Sequence, residues 1–368
     1  MNKKNLEDIE PYRAGKPIEE LKREMALEEE IVKMASNENP LGPSPKALVS
    51  IRDNLETINY YPDAECFYLK KALEKKWRLG SDYFVIGNGS DEILMLTAVT
   101  FLEEGDEAIT GWPSFLIYPL VIKKFGGKVI SVPLKDFRFN LAAISKRITD
   151  KTKLIFIANP NNPTGTIISQ KEADEFLNEV PEKILVIFDE AYGEFVDSLD
   201  YPKTVDFVKK RRNVLMLRSF SKSYGLAGLR IGYGIGSKEI IAYLNRMREP
   251  FNVNRLAQIA ATAALGDSEF LARSNKVIKE GRAYLYQSLK ERGINYVPSM
   301  TNFILIEVPM AGQIVFEELL KSGLIVRSMK EYDLENYIRL SIGTPKQNKR
   351  FIKALDKLLS KNQIVDNK

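Results

Sequence analysis

Residues 218–232 read Arg-Ser-Phe-Ser-Lys-Ser-Tyr-Gly-Leu-Ala-Gly-Leu-Arg-Ile-Gly, which sets Lys222 among small hydroxyl side chains directly behind an apolar run. Burial lowers the pKa of an amine because the charged form loses hydration, and an unprotonated lysine attacks carbonyl carbon. The segment therefore points to imine chemistry. Ser219, Ser221 and Arg230 can together grip a phosphate; a basic loop without one is the plainer reading.

Three other loops carry similar residues. Residues 87–92, Gly-Asn-Gly-Ser-Asp-Glu, precede an apolar helical run at 93–101. The glycines allow a sharp turn, and a new helix offers unpaired N–H groups to an anion near Ser90, Asp91 and Glu92. A plain N-cap with acids in the first turn explains the same residues. Residues 158–165, Ala-Asn-Pro-Asn-Asn-Pro-Thr-Gly, form a tight turn whose prolines also fix one Asn amide as a donor. Asp189 closes the apolar run 184–188, where it would meet a cationic group on a ligand or cap a helix, and Tyr192 can donate to the same ligand.

Composition narrows the chemistry. The chain has 368 residues, 44% hydrophobic and 28% charged, with 54 basic against 49 acidic side chains and a net charge of +5. This is the balance of an ordinary folded protein of about two domains. The scattered basic residues suit small anionic ligands and do not argue for nucleic acid. There is no histidine and one cysteine, Cys66. Ser-His-Asp hydrolysis, Cys-His catalysis and histidine-liganded metal sites are thereby excluded, no metal is expected, and the work falls to Lys, Tyr, Asp, Glu, Arg or an organic cofactor. One cysteine cannot close an intramolecular disulfide, which fits a reducing compartment. Residues 1–30 are charged throughout, and the best apolar run, 256–265, is too short for a bilayer. These features predict a soluble, cytoplasmic protein.

The elements that must position these loops follow from hydrophobic runs. Strands are predicted at 107–111, 128–133, 153–158, 184–188, 213–218 and 230–235, most of them continuous apolar runs suited to burial on both faces. Helical stretches such as 169–180 lie between them, which argues for an α/β domain with a mostly parallel sheet whose ligands bind beyond the strands' carboxyl ends. Beyond a helical stretch at 267–292, strands at 299–307, 324–327 and 337–342 predict a smaller α+β domain. The expected division is an N-terminal arm at 1–35, docking on the small domain or on a partner, a large domain at 36–250 and a small one at 251–368.

In order and spacing, the four loops resemble those of the fold-type I pyridoxal-phosphate aminotransferases. Residues 37–45, Asn-Glu-Asn-Pro-Leu-Gly-Pro-Ser-Pro, and 60–63, Tyr-Tyr-Pro-Asp, resemble the histidinol-phosphate aminotransferase branch, and the likeness runs from about residue 12 to 352. The resemblance implies an aspartate-aminotransferase-like fold with pyridoxal 5'-phosphate held by Lys222, which would also move the substrate proton. Asp189 would pair with the cofactor's ring nitrogen, Tyr192 and Asn162 with its ring oxygen, and Phe115 would stack on the ring where many relatives have tyrosine. The Ser90 and Asp91 backbone amides, with Ser219, Ser221 and Arg230, would hold the phosphate, and Glu92 counts as a further cofactor-binding position. Tyr61 would reach the phosphate in a neighbouring subunit, which implies a homodimer with shared sites.

Tyr12, Asn37, Arg327 and Arg339 match substrate-binding positions of the branch. The two arginines would clamp an anion, since a guanidinium accepts carboxylate or phosphate; as a bare residue, Arg327 also reads as a surface strand position. The activity implied is transamination of L-histidinol phosphate with 2-oxoglutarate, giving imidazole-acetol phosphate and glutamate, in histidine biosynthesis. Alternatives are an aromatic or broad-specificity aminotransferase, a threonine-phosphate decarboxylase, and an aminotransferase-like sensor fused to a DNA-binding module. An arm of about 30 residues is too short for a helix-turn-helix domain, and Lys222 is intact, so the sensor is disfavoured.

Overall fold

The strands of this computed structural model, which describes residue 9 and residues 15–24, 30–211 and 213–366, are named here in chain order. They are β1 (Val32–Lys33), β2 (Phe84–Gly87), β3 (Glu107–Trp112), β4 (Lys128–Pro133), β5 (Thr152–Ala158), β6 (Leu185–Asp189) and β7 (Val214–Ser219). After them come β8 (Gly232–Gly236), β9 (Tyr296–Val297), β10 (Phe303–Glu307), β11 (Leu324–Ile325), β12 (Arg327–Ser328) and β13 (Tyr337–Ser341).

Seven strands form the larger sheet in the order β2-β8-β7-β6-β5-β3-β4. Only β8 runs against its neighbours, so the predicted mostly parallel sheet is present. Its central strands are buried apart from Lys153 and the half-buried Arg218, as suits a parallel sheet covered on both faces. The helix Gln170–Glu179 shows how local sequence sets a boundary. Ser169 accepts from the Glu172 amide while Glu172 reaches back to the Ser169 amide, a reciprocal cap. The six expected strands lie within a residue or two of the observed ones, while β2, only four residues long, escaped the periodicity reading.

The smaller sheet, β12-β13-β10-β9, is antiparallel and packs on the helices Ser268–Lys290 and Pro345–Asp366 through Ile278, Leu285, Phe303, Leu340 and Phe351. Two expectations are corrected. The single strand expected at 324–327 is two: β11 pairs with β1 of the N-terminal segment, and β12 pairs with β13. The buried Val326 stands between them. The helix Arg255–Leu265, beyond the boundary expected at residue 250, belongs to the larger unit's core through Ala257, Ala260, Ala261 and Ala264. Its alanine face lets the backbone approach the helices Pro45–Arg52 and Phe67–Trp77 closely. The described part of the N-terminal segment packs on the small unit, where Leu21 meets Ala35, Leu320 and Ile325. No helix among the described residues is long and apolar enough to cross a membrane.

Candidate active site

Four strands of the larger sheet deliver their carboxyl ends to one place. β2 ends at Gly87, β5 at Ala158, β6 at Asp189 and β7 at Ser219, and the loops beyond them surround a cavity of about 270 Å³. In a parallel sheet all these ends share an edge, so residues far apart in sequence converge there.

Lys222 reaches into the cavity with its amine 3.1 Å from the Ser36 carbonyl and 5.6 Å above the Tyr192 ring. Burial, reinforced by the charge of Arg339, pulls its pKa down to about 8. Asp189 is buried, which pushes its carboxyl up to about 6, while a hydrogen bond from Tyr118 opposes the rise. The Tyr118 hydroxyl donates to Asp189 Oδ2 at 2.9 Å, and the Ala191 amide donates to Oδ1 at 3.3 Å. A carboxylate held in this way suits a cationic partner inside the cavity. Tyr192, also buried, accepts a hydrogen bond of 2.9 Å from the Asn37 amide, and burial raises its pKa. Phe115 lines the wall, edge-on to Tyr118.

At one end the cavity is built for an anion. Ser219 Oγ accepts from the Ser221 amide at 3.1 Å, and Arg230 approaches Ser221 Oγ at 3.4 Å and Asp91 Oδ2 at 3.3 Å. The N-terminus of the helix Ser90–Phe101 opens on the same spot. Close packing explains two glycines. A Cβ on Gly89, at φ +82°, would lie 2.6 Å from the Arg230 guanidinium, and one on Gly232 would lie 2.6 Å from the Ser90 nitrogen.

The small unit supplies the opposite end. Arg339, buried on β13, donates to Asn162 Oδ1 and, at 2.7 Å, to the Ala35 carbonyl. Arg327, on the neighbouring β12 and directly across from Arg339, also lines the cavity and is bonded to Glu331. It is a cavity residue, not a surface one. Tyr332 completes this wall, and Trp112 stacks on it while donating to Asp333 Oδ2 at 2.6 Å.

Three expected residues stand apart. Glu92 is corrected: its carboxylate turns from the cavity to accept from the Asn88 amide at 2.5 Å and Asn252 Nδ2 at 2.7 Å, so it closes its own loop. Tyr61 is 80% exposed, stacks on Phe251 and does not line the cavity of its own chain. Tyr12 lies outside the described residues. Sequence reasoning missed Tyr118, whose place three residues after Phe115 was the available signal, and Ser36, which acts through its backbone. It also missed the ion network behind the site, where Arg218 meets Glu190 at 2.5 Å and Glu194 at 3.2 Å.

Comparisons with known proteins place the chain in a family. The family model of aminotransferase class I and II matches residues 29–355. A histidinol-phosphate aminotransferase of Moorella thermoacetica is 46% identical over 353 residues, 96% of this chain and 91% of that protein. Histidinol-phosphate aminotransferase 2 of Carboxydothermus hydrogenoformans is 45% identical over 98% of this chain and 99% of its own length. Among solved structures, the histidinol-phosphate aminotransferase of Sinorhizobium meliloti in complex with pyridoxal-5'-phosphate superposes with a TM-score of 0.90 at 25% identity, covering 97% of each chain.

Proposed function

Since the chain belongs to the class I and II aminotransferases, we propose that it transfers the amino group of L-histidinol phosphate to 2-oxoglutarate, giving imidazole-acetol phosphate and glutamate, a step of histidine biosynthesis. Pyridoxal 5'-phosphate is the cofactor, and the cavity fits it. A half-buried amine, a buried carboxylate and a serine–arginine cradle closed by two glycines line one cavity, and they suit the aldehyde, ring nitrogen and phosphate of that molecule. When bound, pyridoxal phosphate supplies an exchangeable carbonyl and an electron sink for a carbanion.

The residues then divide the work. Lys222 holds the cofactor and moves the proton at the substrate's Cα, for which an amine titrating near 8 is suited at physiological pH. Asp189, oriented by Tyr118, would hold the ring nitrogen in its protonated form. Tyr192 and Asn162 would hydrogen-bond the ring oxygen. Ser219, Ser221, Arg230 and the amides at Ser90 and Asp91 would bind the phosphate, and Phe115 would pack on the ring. Arg339 and Arg327 take the anion of each substrate in turn, the phosphate of one and a carboxylate of the other.

The working protein is a cytoplasmic homodimer with shared sites. Tyr61 is exposed, stacks on Phe251 and does not line its own cavity, and Ile58, Tyr60, Phe67 and Tyr68 nearby in sequence are exposed too, which supports its reaching the cofactor phosphate of a second copy.

The observation that carries the substrate reading is the paired arginines at the far end of a cavity whose near end already has a phosphate cradle. Purified protein assayed with histidinol phosphate, phenylalanine and threonine phosphate, each against 2-oxoglutarate, tests it. The highest kcat/KM is expected with histidinol phosphate. A preference for phenylalanine, or release of carbon dioxide from threonine phosphate, would overturn it.

A further inference from the structure

Asn37 is buried, yet its backbone sits at φ +58°, a conformation that asparagine tolerates better than most residues. Every polar group it has is engaged. Its amide nitrogen donates to Ser341 Oγ at 2.8 Å, and its carbonyl accepts from Asn302 at 2.9 Å. Its side-chain Oδ1 accepts from Ser341 Oγ at 2.9 Å, and its side-chain Nδ2 donates to the Tyr192 hydroxyl at 2.9 Å. The order of donors follows from Ser341, which is buried and whose hydroxyl hydrogen has Asn37 Oδ1 as its acceptor. A flipped amide would leave that hydrogen unused, so Oδ1 faces Ser341 and the NH₂ turns toward Tyr192.

A phenol that accepts from Asn37 keeps its own hydrogen for another partner, and the Tyr192 ring lines the cavity beside Lys222. Ser341 lies two residues from Arg339 on β13, so the two side chains share a face of that strand. β13 thus serves the site twice, directly through Arg339 and indirectly through Ser341 and Asn37.

We propose that Ser341 and Asn37 are positioning residues that force the Tyr192 hydroxyl to donate its hydrogen into the cavity. This rests on the pyridoxal-phosphate reading above, and it gives Asn37 a role through Tyr192 in place of the substrate contact its motif implied. A donor aimed at an oxygen on the cofactor favours the deprotonated form of the cofactor–Lys222 linkage, so losing it moves the linkage's titration to higher pH.

The test is the pH titration of the bound cofactor's visible absorbance, read without turnover, in the wild type, Asn37→Ala, Tyr192→Phe and the double variant. Each single variant should move the midpoint up, by about half to one pH unit. The double variant should move it no further than Tyr192→Phe alone, because Asn37 acts only through the hydroxyl that variant lacks. Additive shifts, or an unmoved midpoint in Asn37→Ala beside a moved one in Tyr192→Phe, overturn the proposal. If Asn37→Ala does not fold, Ser341→Ala replaces it. That variant frees the amide to flip and should give a smaller shift of the same sign, again absent from its double with Tyr192→Phe. A wild type that binds no pyridoxal phosphate would refute the function itself, a result distinct from additivity.

Discussion

Replacing Arg218 by methionine should destabilise this protein in a way that depends steeply on pH. The guanidinium contacts Glu190 Oε2 at 2.5 Å and Glu194 Oε1 at 3.2 Å, and it lies 5.4 Å from the Trp77 ring. Both carboxylates are buried, and Thr204 donates to Glu190. Methionine keeps much of the volume but leaves two acids without their cation, and removing one partner of a buried pair costs about 3–5 kcal/mol. The sign with pH follows from Glu190. Burial lifts its pKa from 4.5 to about 6 even with Arg218 present. The folded protein therefore binds more protons than the unfolded chain between those values, and stability falls as pH rises through that window. Without Arg218 the folded value rises further. If it rises by about two units, at about 1.4 kcal/mol per unit, the variant's deficit at pH 8 exceeds that at pH 5 by about 2–3 kcal/mol. Urea unfolding of both proteins at fixed concentration and at the two pH values measures it. An equal deficit at pH 5 and pH 8 would refute the reasoning and assign the loss to packing against Trp77. Glu190 follows Asp189 and Arg218 precedes Ser219, so cofactor retention should weaken in parallel.

Lys222→Ala should abolish covalent cofactor attachment and nearly all turnover; substantial transamination in that variant would contradict the assignment of Lys222. Its amine titrates near 8 when folded, below its ordinary 10.5, so the folded state binds fewer protons between those values. Cofactor-free wild type should accordingly gain stability relative to Lys222→Ala as pH rises from 8 to 10.5, and a flat difference would mean that the amine is hydrated. Arg339→Ala should raise KM for histidinol phosphate and glutamate together, each by about ten-fold or more for a lost charge-assisted contact, whereas damage to one substrate alone would argue against a shared anion site. Co-refolded Tyr61→Ala and Lys222→Ala subunits should exceed the mean activity of the separate variants, since about half the dimers are mixed and about a quarter of all sites are then native. Activity that stays at the mean after demonstrated subunit exchange would refute the shared-site reading.

Much of the site was legible because its chemistry is local. The serines around Lys222, the carboxylate ending an apolar run and the Gly-rich entry to the helix Ser90–Phe101 each announce themselves within a few residues. An apolar run long enough to be a buried strand also says where its loop must lie, since parallel strands present their carboxyl ends on one edge. The absence of histidine removed competing chemistries at no structural cost.

What stayed hidden depends on partners remote along the chain. Its place three residues after Phe115 hints that Tyr118 nears the site, but its partner Asp189 lies 71 residues on, and an aromatic on a helix's apolar face reads as core. Glu92 reads as part of an anion site until its loop folds back and its carboxylate is consumed by Asn88 and Asn252. Arg327 could be a surface residue until β12 pairs with β13 and sets it across from Arg339. The direction of the Tyr192 hydroxyl depends on a serine 304 residues beyond Asn37. Residue type and spacing specify which groups can react, because those are properties of a short stretch of chain. Which of them are desolvated, paired and aimed is settled only when distant strands meet, because burial and hydrogen-bond direction are properties of the packed whole.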